Sequence, residues 1–162
     1  MRTILYVGST TDLDYERELL REWDKARVQL AACAELPAWQ GREDAGASAG
    51  AAPTDAEMGA GTADPLRGVD AVVIERGKLG ADELAAHPQL TVVVVLDDRR
   101  ASVDVAAATA ENIWVAHAQN RALLRRLHLA PQAPGRSARR HALQDALAGI
   151  SGERPSGRVN EL

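Results

Sequence analysis

Val69-Asp-Ala-Val-Val-Ile74 and Val92-Val-Val-Val-Val-Leu96 are the two stretches that decide the fold of this chain. The second is an unbroken apolar run, which is typical of a strand buried on both faces of a parallel sheet. Between them, Ala81 to Ala86 is predicted to be a helix. A strand, a helix and a second strand in this order predict a parallel βαβ unit.

The same alternation continues on both sides of this unit. The further predicted strands are Thr3 to Val7, Arg27 to Cys33 and Ile113 to Ala116, and the further predicted helices run from about Asp12 to Asp24, Val103 to Thr109, Arg121 to Leu127 and Ser137 to Leu147. Strands that alternate with helices favour an open parallel sheet. We therefore predict an α/β fold: a single flavodoxin-like domain whose five-stranded parallel sheet has the order 2-1-3-4-5, with helices on both faces.

The length of 162 residues corresponds to one domain. We expect residues 1–120 to form the main βα units, residues 121–135 to form a short connection, and residues 136–162 to form a returning helix and tail. Within the first part, Gly, Ala, Ser, Asp and Pro dominate between residues 41 and 68, which predicts a long loop.

Composition excludes several classes of protein. The net charge of −4 gives no general attraction to nucleic acid or to an anionic membrane. The single cysteine, Cys33, excludes an intramolecular disulfide and a cysteine-rich zinc site. His87, His128 and His141 lack metal-ligand spacing, so we expect no metal. With no signal-peptide pattern and no run of about 20 apolar residues, we expect a soluble, cytoplasmic protein.

Five segments carry a resemblance to a known family. They are Val72-Val-Ile-Glu-Arg76-Gly77, Ala81-Asp-Glu-Leu-Ala-Ala-His-Pro-Gln-Leu90, Val103-Asp-Val-Ala-Ala-Ala-Thr109, Asn112-Ile-Trp-Val115 and the tail Gly152-Glu-Arg-Pro-Ser-Gly-Arg-Val-Asn160. The first four resemble the substrate-binding half of the D-isomer-specific 2-hydroxyacid dehydrogenases, and the tail resembles that family's C-terminal segment. In the family an NAD-binding domain separates the two parts. The resemblance therefore implies a substrate-binding domain from which the NAD-binding domain has been deleted.

Three departures from the family pattern change the expected chemistry. Without the nucleotide domain, we expect no cofactor. The family's catalytic Pro-His pair aligns with Pro131-Gln132, and glutamine cannot act as an acid or a base. Where the family binds the substrate carboxylate with backbone amides, this chain has Asp97-Asp98-Arg99-Arg100, whose carboxylates repel such a ligand unless the arginines neutralise them. Arg76 and Gly77 match positions of substrate contact, so the resemblance implies an anion-binding element there.

Ligands of open α/β sheets bind outside the carboxyl ends of the strands, which selects the candidate site. The predicted catalytic residues are His117, Asp97 and Asp98, and the predicted substrate-binding residues are Ser9, Arg76, Gly77, Arg99, Arg100 and Gln132. His117 is favoured because histidine titrates near neutrality. Structural alternatives remain open: a loop histidine, an ion-pair network within Asp97-Asp98-Arg99-Arg100, a surface salt bridge for Arg76, and a helix cap for Ser9.

Three functions are consistent with these residues. In the first, a cofactor-free descendant of the substrate domain binds a small molecule and catalyses, if anything, a non-redox step such as proton transfer, elimination or cyclisation, in a biosynthetic pathway. In the second, a non-catalytic pseudoenzyme acts as a homodimer or binds a protein partner, because a lost domain exposes apolar surface. In the third and least favoured function, the chain retains redox chemistry because another protein supplies the NAD-binding domain in trans. On its own the chain is not expected to be an NAD-dependent dehydrogenase, and whether it is an enzyme stays open.

Overall fold

The computed structural model describes residues 1–9, 12–36, 64–96, 101–118 and 135–162. The strands are β1 (Arg2–Val7), β2 (Val28–Cys33), β3 (Ala71–Ile74), β4 (Gly77–Leu79), β5 (Val92–Val95), β6 (Ala101–Val103) and β7 (Trp114–His117). The helices are α1 (Asp14–Glu22), α2 (Ala81–Ala86), α3 (Val105–Ala110) and α4 (Arg136–Ile150).

The main sheet has five parallel strands in the order β2-β1-β3-β5-β7, which confirms the α/β class and the parallel sheet. The order differs from the predicted 2-1-3-4-5 because two additional short strands, β4 and β6, pair in parallel in a second sheet. With three residues each, they are too short to produce a recognisable sequence pattern. The predicted helix from Arg121 to Leu127 lies outside the described residues.

Side chains of the main sheet point alternately to two faces. Tyr6, Val73, Val94 and Ala116 stand in register on one face and pack with apolar residues of α1 and α4, and we call this the α1/α4 face. The next row along the strands, Val7, Ile74, Val95 and His117, belongs to the opposite face. There the core includes Leu84 of α2 and Ala108 of α3, so it is called the α2/α3 face. Helices therefore cover both faces, as predicted.

The C-terminal tail covers the outer edge of β7. The Val159 amide donates to the Val115 carbonyl over 2.7 Å, and the Asn160 Oδ1 accepts from the Val115 amide over 2.8 Å. The buried Asp145 carboxylate of α4 accepts from the Ser156 amide and hydroxyl over 2.7 and 2.8 Å, which fixes the start of the tail. Because these bonds occupy the edge of β7, the tail and the sheet form one structural unit.

A buried ion pair joins α1 to α4. Glu16 is fully buried, and its carboxylate accepts a 2.6 Å hydrogen bond from the Nε of Arg139 and a second one from the Nη2 of the same guanidinium. Arg139 also donates to the Asp12 carbonyl over 2.8 Å. This fork-to-carboxylate geometry is the strong form of an ion pair. Arg139 therefore makes a tertiary contact that ties α4 to α1.

Candidate functional site

Ser9, Arg76 and His117 all lie at the carboxyl edge of the main sheet. The parallel hydrogen-bonding pattern continues one residue beyond the strands, because the Glu75 amide donates to Val7 over 2.8 Å and the Ala118 amide donates to Val95 over 3.1 Å. In such sheets the carboxyl edge is where ligands bind. The edge therefore presents side chains from three strand ends to one region of the surface.

Glu75 is a buried carboxylate at this edge that the sequence reading did not single out. It is 3% exposed and follows β3 directly. The Ser9 amide donates to Glu75 Oε2 over 2.9 Å, and the Ser9 hydroxyl donates to Oε1. Ser9 is therefore not a helix cap: α1 has Leu13 at its N-cap position, and Asp12 accepts from the Asp14 amide. The available signal was an acidic residue directly after a buried apolar strand.

Gly8 allows Ser9 to approach Glu75 this closely. Its φ of +143° is strained for any residue with a side chain, and a Cβ built there would lie 2.5 Å from the Glu75 Cβ. A side chain at position 8 would consequently push the turn away from β3. Glycine at this position therefore permits the close approach of the β1 turn to Glu75.

Arg76 follows Glu75 and stands where the chain leaves the main sheet. It is partly buried, and its Nε is buried without a hydrogen-bond partner among the described residues. Within that part of the chain it forms no ion pair either, so the expected alternative of a surface salt bridge finds no described partner. Gly77, with φ of +105°, begins β4 and turns the backbone out of the sheet. Burying an N–H without a partner is costly, which makes Arg76 a candidate ligand contact.

His117 is the last residue of β7 and lies on the α2/α3 face, in register with Val95. Burial lowers the pKa of its imidazole, so the ring is neutral at pH 7. Its amide donates to the Gly157 carbonyl over 2.8 Å, which ties the strand end to the tail. A neutral imidazole can accept a proton, as a general base requires.

The structure brings these residues to one edge without joining them directly. No hydrogen bond connects Ser9, Arg76 and His117 to one another within the described ranges. Strand β5 lies between β3 and β7, so their ends are separated by about 10 Å. A ligand that contacts both Arg76 and His117 must therefore span several atoms. Five other predicted site residues, Asp97, Asp98, Arg99, Arg100 and Gln132, lie outside the described residues and stay predictions.

Tyr6 carries a second buried polar group on the α1/α4 face. It is 1% exposed, and its hydroxyl has no hydrogen-bond partner among the described residues. Burial raises the pKa of this phenol, and the negative charge of Glu16 raises it further, although Arg139 opposes the change. The phenol is therefore protonated at all physiological pH values, and it serves as a neutral neighbour of the ion pair.

His87 is buried at the end of α2, and both nitrogens of its ring have protein partners. Its Nδ1 lies 2.6 Å from the Glu83 carbonyl and its Nε2 lies 2.6 Å from the Asp64 carboxylate. Burial raises the pKa of Asp64, but hydrogen bonds from His87 and from the Leu66 amide outweigh this effect, and the net pKa is lowered. Among the described residues, no three His, Cys, Asp or Glu side chains are grouped to hold a metal ion.

A groove of about 470 Å³ lies at the other end of the sheet, between α1 and the start of β2. Its apolar lining includes Leu20, Val28 and Leu30, and its charged lining consists of the basic Arg17, Arg21 and Lys25 and the acidic Asp24. It is remote from the strand ends that carry Ser9, Arg76 and His117. Each helix in the described part of the chain is too short or too polar to span a membrane.

Comparison with known proteins gives no family model and no curated protein that matches. Solved structures similar in fold include the NAD-dependent formate dehydrogenase from Staphylococcus aureus, at 13% identity and a TM-score of 0.42, covering 72% of this chain and 31% of that one. For D-2-hydroxyisocaproate dehydrogenase the identity is 11% and the TM-score is 0.45, and the match covers 79% of this chain and 35% of that one. For 3-phosphoglycerate dehydrogenase from Entamoeba histolytica the identity is 13% and the TM-score is 0.45, and the match covers 95% of this chain and 53% of that one. The chain thus spans only about a third to a half of these proteins.

Proposed function

We propose that this chain is a flavodoxin-like descendant of a 2-hydroxyacid dehydrogenase substrate domain, which binds a small molecule at the carboxyl edge of its sheet and acts without a nucleotide cofactor. The observation that carries the proposal is the Nε of Arg76, which is buried at this edge without a partner among the described residues. A bound carboxylate or phosphate would satisfy this N–H with a charge-assisted hydrogen bond.

The packing of the C-terminal tail supports this proposal. In the 2-hydroxyacid dehydrogenases, the segment that resembles Gly152 to Asn160 follows the nucleotide domain. In this chain, Val159 and Asn160 of that segment bond directly to β7. Only residues 119–134 lie between the described end of β7 and the start of the α4 region. The sheet, α4 and the tail therefore close on one another with no nucleotide domain between them.

The proposed chemistry needs an anion site and a proton acceptor. Arg76 supplies the first, and the neutral imidazole of His117 supplies the second. Proton transfer, elimination and cyclisation require only a bound substrate, an acid and a base, so none of them needs a redox cofactor. Asp97 and Asp98 would add further acid or base groups in the same proposal.

A thermal-shift screen with small carboxylates and phosphates tests the proposal. A ligand present at 100 times its Kd adds about 2.7 kcal/mol, which corresponds to a rise in Tm of about 5–10 °C for a domain of this size. We expect Arg76→Ala to abolish the shift and Arg21→Ala, an exposed arginine near the opposite end of α1, to retain it. No stabilisation of the wild-type protein by any member of the screen would reject the proposal.

A second candidate function is self-association through β2. Within the described part of the chain, β2 pairs only with β1, and Val28, Leu30 and Ala31 are only partly buried. A two-fold axis would pair β2 of two copies in antiparallel fashion, which is a common closed interface. Light scattering tests this self-association. A particle that still has the mass of a monomer at about 100 μM, which is well above ordinary dimer Kd values, would exclude it.

The reading with an NAD domain in trans is the least favoured one. Position 132 is glutamine, and a borrowed domain would not replace the missing histidine. Titration with NAD and NADP, monitored by fluorescence, is expected to show no binding. Saturable binding would restore this reading.

A further inference from the structure

We propose that Gly157 is a positioning residue for His117: the C-terminal tail holds the end of β7, and with it the imidazole, in place at the carboxyl edge. This inference rests on the proposed function, in which His117 is the proton acceptor. It assigns a role in that site to a tail residue that carries no functional group of its own.

The first argument is the pairing of the β7 backbone, whose successive amides point to opposite sides of the strand. The Ala118 amide donates inward to β5 over 3.1 Å, whereas the His117 amide points outward and donates to the Gly157 carbonyl over 2.8 Å. The preceding outward amide, that of Val115, donates to Asn160 of the same tail over 2.8 Å. The tail therefore does for β7 what a neighbouring strand would do, and Gly157 is its contact at the carboxyl end of the strand.

The second argument is the lack of space around Gly157. A Cβ built at this position would overlap the carbonyl oxygen of His117 and would lie 2.8 Å from the Oδ2 of Asp145. Gly157 does not have a positive φ, so its backbone conformation alone does not demand glycine. Its proximity to His117 does, because a side chain at position 157 would displace either the tail or the end of β7.

The third argument is the anchor on the other side of Gly157. The carboxylate of Asp145 on α4 is 2% exposed and accepts from the Gly157 amide over 3.2 Å. The same carboxylate accepts from the amide and the hydroxyl of Ser156, as described above. Gly157 is thus held by α4 through its amide and holds His117 through its carbonyl. Since β7 is the last strand of the described sheet, this anchor stands where a further strand would otherwise fix its end.

A fixed strand end matters for the proposed chemistry. A general base must lie within hydrogen-bond reach of the proton that it accepts. A displacement of about 1 Å can lower the rate by about 100-fold. Chain ends and unpaired edges fray readily, so without the tail the backbone of His117 would sample several positions. With the tail in place, the backbone is fixed and the partly buried setting of the ring limits its rotamers.

NMR spectroscopy of the ligand-free protein tests this role. Vicinal couplings from the imidazole Cγ to the backbone nitrogen and carbonyl carbon report χ1 of His117, and we expect one staggered rotamer in the wild-type protein. In Gly157→Ala we expect averaged couplings. We also expect the His117 amide to exchange about threefold to tenfold faster, the effect of losing one hydrogen bond. The Ala118 amide, which bonds to β5, should keep its protection.

Gly149→Ala is the matched control for a general loss of stability. Its new Cβ also collides with a neighbour, 2.5 Å from the Cβ of Val92. Val92 lies at the start of β5, whereas His117 pairs with the last residue of that strand. We therefore expect Gly149→Ala to lower the thermal midpoint and to leave the couplings and the amide exchange of His117 unchanged.

A milder variant covers the case in which Gly157→Ala does not fold. Ser156→Ala removes one hydroxyl hydrogen bond to Asp145 and introduces no collision. We expect it to change the couplings and the amide exchange of His117 in the same direction as Gly157→Ala and by a smaller amount. If Gly157→Ala does not fold, Ser156→Ala decides.

Three results would overturn the inference. The first is rotamer averaging of His117 in the wild-type protein, because the ring is then not held in place. The second is an unchanged His117 in both Gly157→Ala and Ser156→Ala, and the third is an equal change in Gly149→Ala. Because these measurements need no ligand, they can reject the positioning role while the thermal-shift screen supports the proposed function, or establish the position of His117 while the screen rejects it.

Discussion

The two faces of the main sheet are covered by helices in different ways. On the α2/α3 face Leu84 of α2 and Ala108 of α3 belong to an apolar core with Val72, Val93 and their neighbours, and a polar contact between His87 and Asp64 lies at the end of α2. On the α1/α4 face an apolar core is combined with an ion pair between Glu16 and Arg139 and with the Tyr6 hydroxyl, which has no hydrogen-bond partner in the described parts of the chain. The helix that returns after residues 119–134 is thus attached by a specific polar contact as well as by burial. The directional hydrogen bonds of this ion pair therefore add a geometric constraint on α4 to the burial of its apolar residues.

The largest effect is expected from breaking the ion pair. Glu16→Ala leaves the partly buried Arg139 guanidinium without its carboxylate and opens a cavity where Glu16 was fully buried, which together cost about 3–5 kcal/mol of unfolding free energy. Urea denaturation followed by circular dichroism measures this loss. The double variant Glu16→Leu with Arg139→Met removes both charges, and we expect its stability to lie within about 1–2 kcal/mol of wild type. If the double variant were as unstable as Glu16→Ala, the loss of unfolding free energy would come from the missing ion pair itself and not from the unpaired charge.

Truncation on the α2/α3 face is expected to have a comparable or slightly smaller effect. Leu84 is fully buried, so Leu84→Ala removes its contacts and leaves a cavity that costs about 2–5 kcal/mol. Because no charge is involved, the loss should not vary with salt between about 0.05 and 1 M. Urea denaturation at both salt concentrations measures it. A loss below 1 kcal/mol would mean that this face relaxes around the cavity.

A larger side chain at the contact between α4 and the sheet is expected to lower the unfolding free energy by less than the two preceding changes. A Cβ at Gly149 would lie 2.5 Å from the Cβ of Val92 on β5. Gly149→Ala should therefore destabilise the protein by about 1–3 kcal/mol, despite the better helix propensity of alanine. The thermal midpoint reports this change. Combining Gly149→Ala with Val92→Ala should recover part of the lost stability. If the double variant recovers none of it, the strain does not come from the contact with Val92.

The smallest effect is the pH dependence that His117 contributes. Burial lowers the pKa of His117 in the folded protein, so the unfolded chain takes up a proton first as the pH falls. Stability is therefore lost between about pH 7 and the lowered pKa of the folded state. His117→Asn removes this component, and the unfolding free energies at pH 8 and pH 5 should differ less than in the wild-type protein. An unchanged difference would contradict the assignment.

The strands that decide the fold could be predicted because burial on both faces leaves an unbroken apolar pattern. Val92 to Leu96 is the clearest case, and the predicted helix from Ala81 to Ala86 has the observed bounds of α2. Helix α1 is shorter than predicted, since it begins at Asp14 and ends at Glu22. Patterns of local spacing predict which elements form more reliably than where they end.

The polar contacts could not be predicted because they join residues that are distant in the chain. Ser9 and Glu75 are 66 positions apart, and Glu16 and Arg139 are 123 positions apart. Each residue by itself resembles an ordinary surface serine, glutamate or arginine. Only the parallel register, which places the end of β3 beside the end of β1, brings Glu75 under Ser9. The prediction that Arg76 and His117 share an edge required only the rule on strand ends.

Chemical-shift mapping can locate a bound small molecule at the carboxyl edge residue by residue. Amide resonances of the ¹⁵N-labelled protein are followed during titration with the carboxylate or phosphate that gives the largest thermal shift. Binding at the carboxyl edge should produce saturable changes that are largest at Ser9, Glu75, Arg76 and His117 and absent from the groove beside β2. Changes confined to Leu20, Val28 and Leu30 of that groove, or no saturable change at any residue, would contradict it.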